Sequence, residues 1–172
     1  FLFDPDGALE DRYDKTHLVP FGEYVPLRGL LGHFFQALAS GLSSNDVTPG
    51  ERPRNLGLVW PGSPGERRLV GVPICYELLF PDLVRRMGGE GAGALLAITN
   101  DAWYGRTGAP HQFLAMTAMR AAENGLPVVR AANTGVSALI DARGRVTEHS
   151  PLFEEAIVVG EIEMPLGRTP TF

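Results

Sequence analysis

The middle of the chain alternates apolar runs of strand length with stretches of helical periodicity. Strands are predicted at 69–74, 94–98, 126–129 and 156–162. A helix is predicted over 82–87, opened by Pro81 and closed by two glycines, and a second over 111–124, closed by Gly125. This alternation of strand and helix predicts a layered α/β sheet.

Turn residues mark two predicted hairpins at the ends of the chain. The first joins 1–3 to a strand leading toward Tyr13 through the turn 4–7, and the second joins 136–140 to Val146 through the turn 141–144. A short helix over 30–38 and a turn at 61–65 are also predicted.

The predicted helix 111–124 has an apolar face at helical spacing. We expect Phe113, Met116, Met119 and Ala121 to form that face and pack on the sheet. The run 94–98 is almost continuously apolar, which is typical of a strand covered on both faces.

Three polar loops follow the predicted strands, and in an α/β sheet such loops are where ligand groups gather. They lie around Cys75, around 100–104 and around 133–134. The sequence therefore predicts a functional site at one edge of the sheet.

Composition narrows the class of protein. Of 172 residues, 44% are hydrophobic and 20% are charged, which is globular rather than disordered composition. The net charge of −5, without a block of basic residues, argues against nucleic acid as a partner. The longest apolar stretch, near 92–98, is far shorter than the roughly 20 residues that cross a bilayer.

Metal and disulfide chemistry find little support in the residues. A single cysteine, Cys75, excludes an internal disulfide framework and any cysteine-based zinc site. The four histidines form no metal-ligand pair at helical spacing. No metal and no cofactor are expected.

Cys75 and Lys15 are the candidate catalytic residues, and each could instead have a purely structural role. Cys75 lies where a strand gives way to a helix, a place for a nucleophile, although an isolated cysteine is often a buried, inert thiol. Lys15 lies among apolar residues and calls for an anionic partner such as Glu23, unless its stem simply covers apolar surface. A Cys–His arrangement with His17 or His111 as base lacks a cysteine-protease signature.

Five motifs in a fixed order resemble the carbon-nitrogen hydrolase (nitrilase) superfamily and, within it, the apolipoprotein N-acyltransferase family. They are YDKTHLVPFGEYVP (13–26), GVPICYE (71–77), TNDAWYG (99–105), PHQ (110–112) and RAAENG (120–125). The resemblance implies an α/β fold of the αββα sandwich type and a Glu-Lys-Cys catalytic triad, and it spans nearly the whole chain.

The resemblance also implies site residues. The catalytic positions matched are Cys75 as nucleophile, Lys15 as the triad lysine and Glu23 beside it. Tyr76 and Glu77 match supporting positions. Trp103 and Tyr104 are expected to line the acyl entrance, unless the tryptophan is a core residue. In the family the triad glutamate precedes the lysine motif, so we expect 1–172 to be a partial domain without its first strands, inactive when alone.

The implied reaction moves an acyl chain from a phospholipid, through a cysteine thioester, to the N-terminal amino group of a diacylglyceryl-apolipoprotein. The implied location is the bacterial inner membrane, with this domain on the periplasmic face and transmembrane segments outside this chain. Two alternatives stay open: a soluble amidase of the same superfamily that hydrolyses a C–N bond, and a non-catalytic binding module.

Overall fold

The computed structural model describes residues 1–26, 47–59 and 65–164. The helix predicted over 30–38 and most of the turn predicted at 61–65 lie outside these residues. The first hairpin is confirmed: β1 (Leu2–Phe3) and β2 (Leu9–Asp11) pair antiparallel. The second strand ends at Asp11 and does not reach Tyr13.

The main sheet has six strands in sequence order. They are β3 (Asn55–Val59), β4 (Arg67–Gly71), β5 (Ala94–Asn100), β6 (Val128–Asn133), β7 (Ala138–Ile140) and β8 (Val146–His149). Strands β4, β5 and β6 run parallel, whereas β3 and the β7–β8 hairpin are antiparallel to their neighbours. The predicted α/β sheet with a terminal hairpin is thus confirmed.

Two α-helices connect the parallel strands. Helix α1 (Pro81–Gly89) begins at Pro81, whose fixed φ and missing N–H suit a first helical turn. Helix α2 (Ala109–Asn124) ends at Gly125, which adopts the left-handed conformation with φ of 61°. Both ends of α2 therefore follow from local sequence signals.

The principal core lies between the parallel strands and the helices. Its fully or nearly fully buried members come from strands and helices alike: Val70, Leu95, Val128 and Ile140 with Val84, Met87 and Ala121. Burying such side chains contributes roughly 1.5 to 3 kcal/mol each, relative to leaving them exposed. On β5 the expected covering of both faces is incomplete, because Ile98 is 52% exposed.

The buried face of α2 differs from the predicted one. Phe113 and Ala121 are buried as expected, but Met116 and Met119 are 38% and 54% exposed, so their predicted core position is wrong. Thr117 and Arg120 are buried instead. The helix is turned so that Thr117 meets a buried arginine of β6, as described below.

The strand predicted over 156–162 is also wrong. These residues form no strand ladder, and Ile157 and Val159 are 92% and 80% exposed. Gly160 lies against the Leu139 side chain of β7, where an added Cβ would be 2.6 Å from the leucine Cδ1. Contact with side chains on β7, rather than pairing with a strand edge, holds this segment.

The β7–β8 turn provides a test of packing against α2. Gly144 has φ of 79°, and a Cβ there would come within 2.6 Å of the Ala118 carbonyl oxygen. Gly7 has a similar φ of 84° but nothing within 4 Å. We expect Gly144→Ala to lower the free energy of unfolding by about 1 to 3 kcal/mol more than Gly7→Ala, because only Gly144 adds a clash to the shared strain. Chemical denaturation measures this difference, and equal losses would contradict the packing described.

Candidate active site

The three polar loops meet at one edge of the sheet, as predicted. Strands β4, β5 and β6 are parallel neighbours, so their carboxyl ends lie side by side. A parallel bridge between Ile74 and Ile98 joins the chain just before Cys75 to β5. At the far end of the β5–β6 ladder, Asn133 Nδ2 donates to Asn100 Oδ1 at 3.2 Å.

Cys75 lies at a sharp turn between β4 and α1. It begins the 3-10 helix Cys75–Leu79, and its φ of 52° is in the left-handed region that residues with a Cβ seldom adopt. The free thiol is partly exposed. A strained backbone that leaves a thiol at the sheet edge is typical of a presented nucleophile rather than of an inert core cysteine.

The Glu77 carboxylate connects the Cys75 turn to the lysine motif. It is fully buried, and one oxygen, Oε2, accepts the Ile74 N–H at 2.8 Å. The other, Oε1, accepts four donors: the Tyr13 hydroxyl at 2.9 Å, the Thr16 N–H at 2.6 Å, the Thr16 hydroxyl at 2.8 Å and the His17 N–H at 3.1 Å. Five hydrogen bonds to one carboxylate hold two segments about 60 residues apart in fixed register.

Tyr13 closes this carboxylate site from the inside. It is 7% exposed, and burial, with a further contribution from the Glu77 charge, raises the pKa of the Tyr13 phenol. The phenol therefore stays protonated and can donate to the carboxylate.

Lys15 and Glu23 form the ion pair that the sequence predicts. Lys15 Nζ lies 2.7 Å and 2.8 Å from the two Glu23 carboxylate oxygens, and the Lys15 side chain is only 10% exposed. Glu23 Oε2 also accepts the Val19 N–H at 2.7 Å. The Gly50 N–H donates to the Lys15 carbonyl oxygen at 2.8 Å, so main chain and side chain of the lysine are both held.

Aromatic rings line the side of the site next to Tyr76. The Tyr76 ring meets Phe80 edge-on with centroids 5.1 Å apart, and the His17 ring lies 3.9 Å from Phe80 on centroids. The His17 imidazole thus packs on the ring of Phe80.

Trp103 and Tyr104 occupy the 3-10 helix Ala102–Tyr104 after β5, and they differ in placement. Trp103 is 82% exposed, whereas the Tyr104 ring packs on Phe113 at 5.1 Å between centroids. Burial, and after it the charges of Cys75 and Asp101, raise the pKa of Tyr104. Of the two residues, Tyr104 is thus the partly buried one, and it joins this loop to α2.

The sequence reasoning missed a buried ion pair next to the site. Asp101 and Arg130 are 0% and 2% exposed, with Arg130 Nη2 and Asp101 Oδ2 2.8 Å apart. The available signal was Arg130 itself, a charged residue within the otherwise apolar run 126–132. Within 1–26, 47–59 and 65–164, no three His, Cys, Asp or Glu side chains cluster as metal ligands. No helix in those ranges is long and apolar enough to cross a membrane.

A family model for carbon-nitrogen hydrolases matches residues 1–169, and the chain belongs to this family. The described chain also resembles a carbon-nitrogen hydrolase from Helicobacter pylori G27, with a TM-score of 0.65 at 18% identity, covering 94% of this chain and 55% of that one. The α/β fold of the nitrilase superfamily is thus confirmed, for part of the length of that structure.

More specific similarity is to bacterial acyltransferases. The chain is 44% identical over 169 residues to the apolipoprotein N-acyltransferase of Geobacter metallireducens, covering 98% of this chain and 30% of that protein. It therefore spans about a third of the length of such curated relatives. A mutant of the amidase from Nesterenkonia sp. AN1, in which acrylamide has added to the active-site cysteine, is 25% identical with a TM-score of 0.51, covering 66% of this chain and 44% of the amidase.

Glu77→Gln tests the carboxylate that joins the two segments. The glutamine amide has one oxygen where the carboxylate has two. Its NH₂ group would therefore face an N–H or O–H donor in a buried environment, where neither donor finds an acceptor. We expect a loss of about 3 kcal/mol in the free energy of unfolding, together with slower alkylation of Cys75 in the remaining folded protein. Denaturant titration and iodoacetamide kinetics measure the two effects.

Glu90→Gln is the matched control, because Glu90 is exposed at the end of α1. It should change the free energy of unfolding by no more than about 0.5 kcal/mol. If Glu77→Gln proves as mild as this control, the five hydrogen bonds do not hold the site together.

Proposed function

We propose that the complete protein is an N-acyltransferase that carries an acyl chain on Cys75 as a thioester. The acyl donor is a phospholipid, and the acceptor is the free α-amino group of the diacylglyceryl-cysteine at the N-terminus of an apolipoprotein. The arrangement that supports this proposal is the strained Cys75 turn, held by Glu77 against the motif that carries the Lys15–Glu23 pair. Similarity to acyltransferases over 98% of the chain supports the same reaction.

In the first half-reaction, the Cys75 thiolate attacks the ester carbonyl of the phospholipid. A general base takes the thiol proton and returns it to the leaving alkoxide, so that a lysophospholipid departs and the acyl thioester remains. By the family resemblance this base is a glutamate that precedes the lysine motif.

In the second half-reaction, the acceptor amine attacks the thioester carbonyl. The same base accepts the amine proton and passes it to the departing thiolate, which regenerates Cys75 and leaves an amide on the apolipoprotein. Transfer to water in place of the amine would make the protein an amidase-like hydrolase, which is the outcome that the label experiment below distinguishes.

Lys15 supplies the positive charge for the oxyanion that both tetrahedral intermediates carry. An ammonium group has three N–H donors, and Glu23 accepts two, at 2.7 Å and 2.8 Å. The third is directed at the oxyanion together with the Tyr76 N–H. Each such donor is worth roughly 3 to 4 kcal/mol in the transition state.

The remaining residues support these groups. Glu23 orients the Lys15 ammonium and is itself fixed by the Val19 N–H. Glu77 fixes the turn, the Tyr76 ring forms a wall with Phe80, and Trp103 reaches outward toward the acyl entrance. We place the protein at the bacterial inner membrane with this domain on the periplasmic face, held by transmembrane segments outside these residues.

Labelled phospholipid tests the nucleophile. The complete protein incubated with acyl-labelled phospholipid should retain label that hydroxylamine releases, because a thioester is cleaved by hydroxylamine. Cys75→Ser should carry none, and a lipopeptide amine should remove the label from the wild type as an amide. Label on Cys75→Ser equal to that on the wild type would exclude Cys75, and release only as free fatty acid would favour hydrolysis.

Lys15→Arg tests the oxyanion role. A planar guanidinium can engage both Glu23 oxygens, but it cannot place a compact third donor where the ammonium does. We expect the rate of thioester formation to fall by about 10²- to 10³-fold, with the thermal unfolding temperature little changed. Arg54→Lys, at an exposed ion pair with Asp11, is the control and should keep the wild-type rate. A near-normal rate in Lys15→Arg would reduce Lys15 to a structural residue.

A further inference from the structure

The Asp101–Arg130 pair is a buried ion pair that the proposed chemistry does not use. Arg130 lies on β6, and Asp101 is the first residue after β5. Both side chains are essentially inaccessible, at 0% and 1% exposure. Replacing a buried ion pair with apolar residues is often neutral or stabilising, so its presence is not explained by stability alone.

Arg130 joins three parts of the site wall. Its Nη2 binds Asp101, its Nη1 donates to the Thr117 hydroxyl of α2 at 3.2 Å, and its Nε donates to the Val136 carbonyl oxygen at 3.1 Å. Burial lowers the pKa of Arg130, while the charge of Asp101, and to a smaller degree that of Cys75, acts in the opposite direction. In the sheet, Arg130 pairs with Ala97 of β5, and the next residue, Ile98, bridges to Ile74 beside Cys75.

Asp101 fixes the loop 101–105, which we call the aromatic loop because it carries Trp103 and Tyr104. Its second carboxylate oxygen accepts the Thr99 hydroxyl at 2.9 Å, and its N–H donates to the Asn133 carbonyl oxygen at 3.1 Å. Its own carbonyl oxygen accepts the Tyr104 N–H at 3.0 Å. Side chain and main chain of one residue thus set the start of the loop and its first turn.

Gly135 fits closely over the same carboxylate. A Cβ at this position would be 2.1 Å from Asp101 Oδ2 and 2.7 Å from Asp101 Cγ. The φ of Gly135 is not in the left-handed region, so the contact alone calls for glycine. An added methyl group must therefore displace the carboxylate while both charges stay present.

We propose that Asp101 and Arg130 are positioning residues that hold the aromatic loop beside Cys75 and so determine which acyl chains reach the thiol. The claim that the loop selects acyl chains rests on the proposed function, whereas the claim that the pair holds the loop is independent of it.

Two variants of the complete protein disturb the pair in different ways, one by removing its charges and one by shifting the carboxylate. Asp101→Asn with Arg130→Met removes both charges and leaves no unpaired buried ion, so the protein should still fold. Gly135→Ala keeps both charges and shifts the carboxylate. The control is Asp141→Asn with Arg145→Met, which removes an ion pair of the same chemistry from the exposed β7–β8 turn.

Hydrogen exchange measures the local opening of the aromatic loop directly. We expect the amides of 102–105 to exchange roughly tenfold faster in both variants, because their local opening is no longer opposed by the pair. The control should leave these amides unchanged. Unaltered exchange in both variants would overturn the proposal, whatever the reaction.

Selectivity for acyl-chain length measures whether the loop affects which substrates react. The ratio of kcat/KM for hexadecanoyl and butanoyl p-nitrophenyl esters does not depend on how much protein is folded, so simple destabilisation cannot move it. We expect this ratio to change by about fivefold or more in both variants and to stay constant in the control.

Faster exchange with an unchanged ratio would overturn the proposal that the pair determines which acyl chains reach the thiol. A wild type that acylates Cys75 with neither ester would count against the proposed function, and the exchange data would still decide the role of the pair.

Discussion

One buried carboxylate sets the geometry on which the rest of the site depends. Glu77 accepts hydrogen bonds from the backbone on both sides of the site, and its hydroxyl donors come from residues 13–17. A fully desolvated carboxylate is costly unless its lone pairs are satisfied, and here five donors satisfy them. The same bonds that offset the burial of the charge place Lys15 and Cys75 on facing segments. Stability of the region and geometry of the site therefore have a common origin.

The chain uses its basic residues in two distinct ways. Lys15 is the single lysine of the sequence, and arginine supplies the rest of its Lys and Arg residues. At Arg130 the planar fork is needed, because its three nitrogens bind α2 and the two loops after β5 and before β7 in fixed directions. At Lys15 the proposed oxyanion role calls for a compact charge, which Glu23 holds from one side through two hydrogen bonds. This division explains why the rarest basic residue lies at the site.

Local signals predicted the elements well, and long-range contacts account for the errors. Pro81 and Gly125 mark true helix boundaries because their backbone restrictions act within one turn. The Lys15–Glu23 pair was predictable from eight residues of separation. The exposure of Met116 was not, since the orientation of α2 depends on Thr117 reaching Arg130, and no local pattern contains that contact. The roles of Cys75 and its neighbours were inferred from a resemblance between motifs and stay proposals.

The distance along the chain between Glu77 and its partners has a consequence for how the site forms. Tyr13 and Thr16 precede Glu77 by 64 and 61 residues, and closing so long a loop costs entropy before any hydrogen bond is gained. During synthesis the lysine motif leaves the ribosome well before the carboxylate that will hold it. The parallel sheet, which supports the Cys75 turn through the Ile74–Ile98 bridge, is later still. In the proposed site, the Cys75 turn and the lysine motif are thus joined only at a late stage of folding.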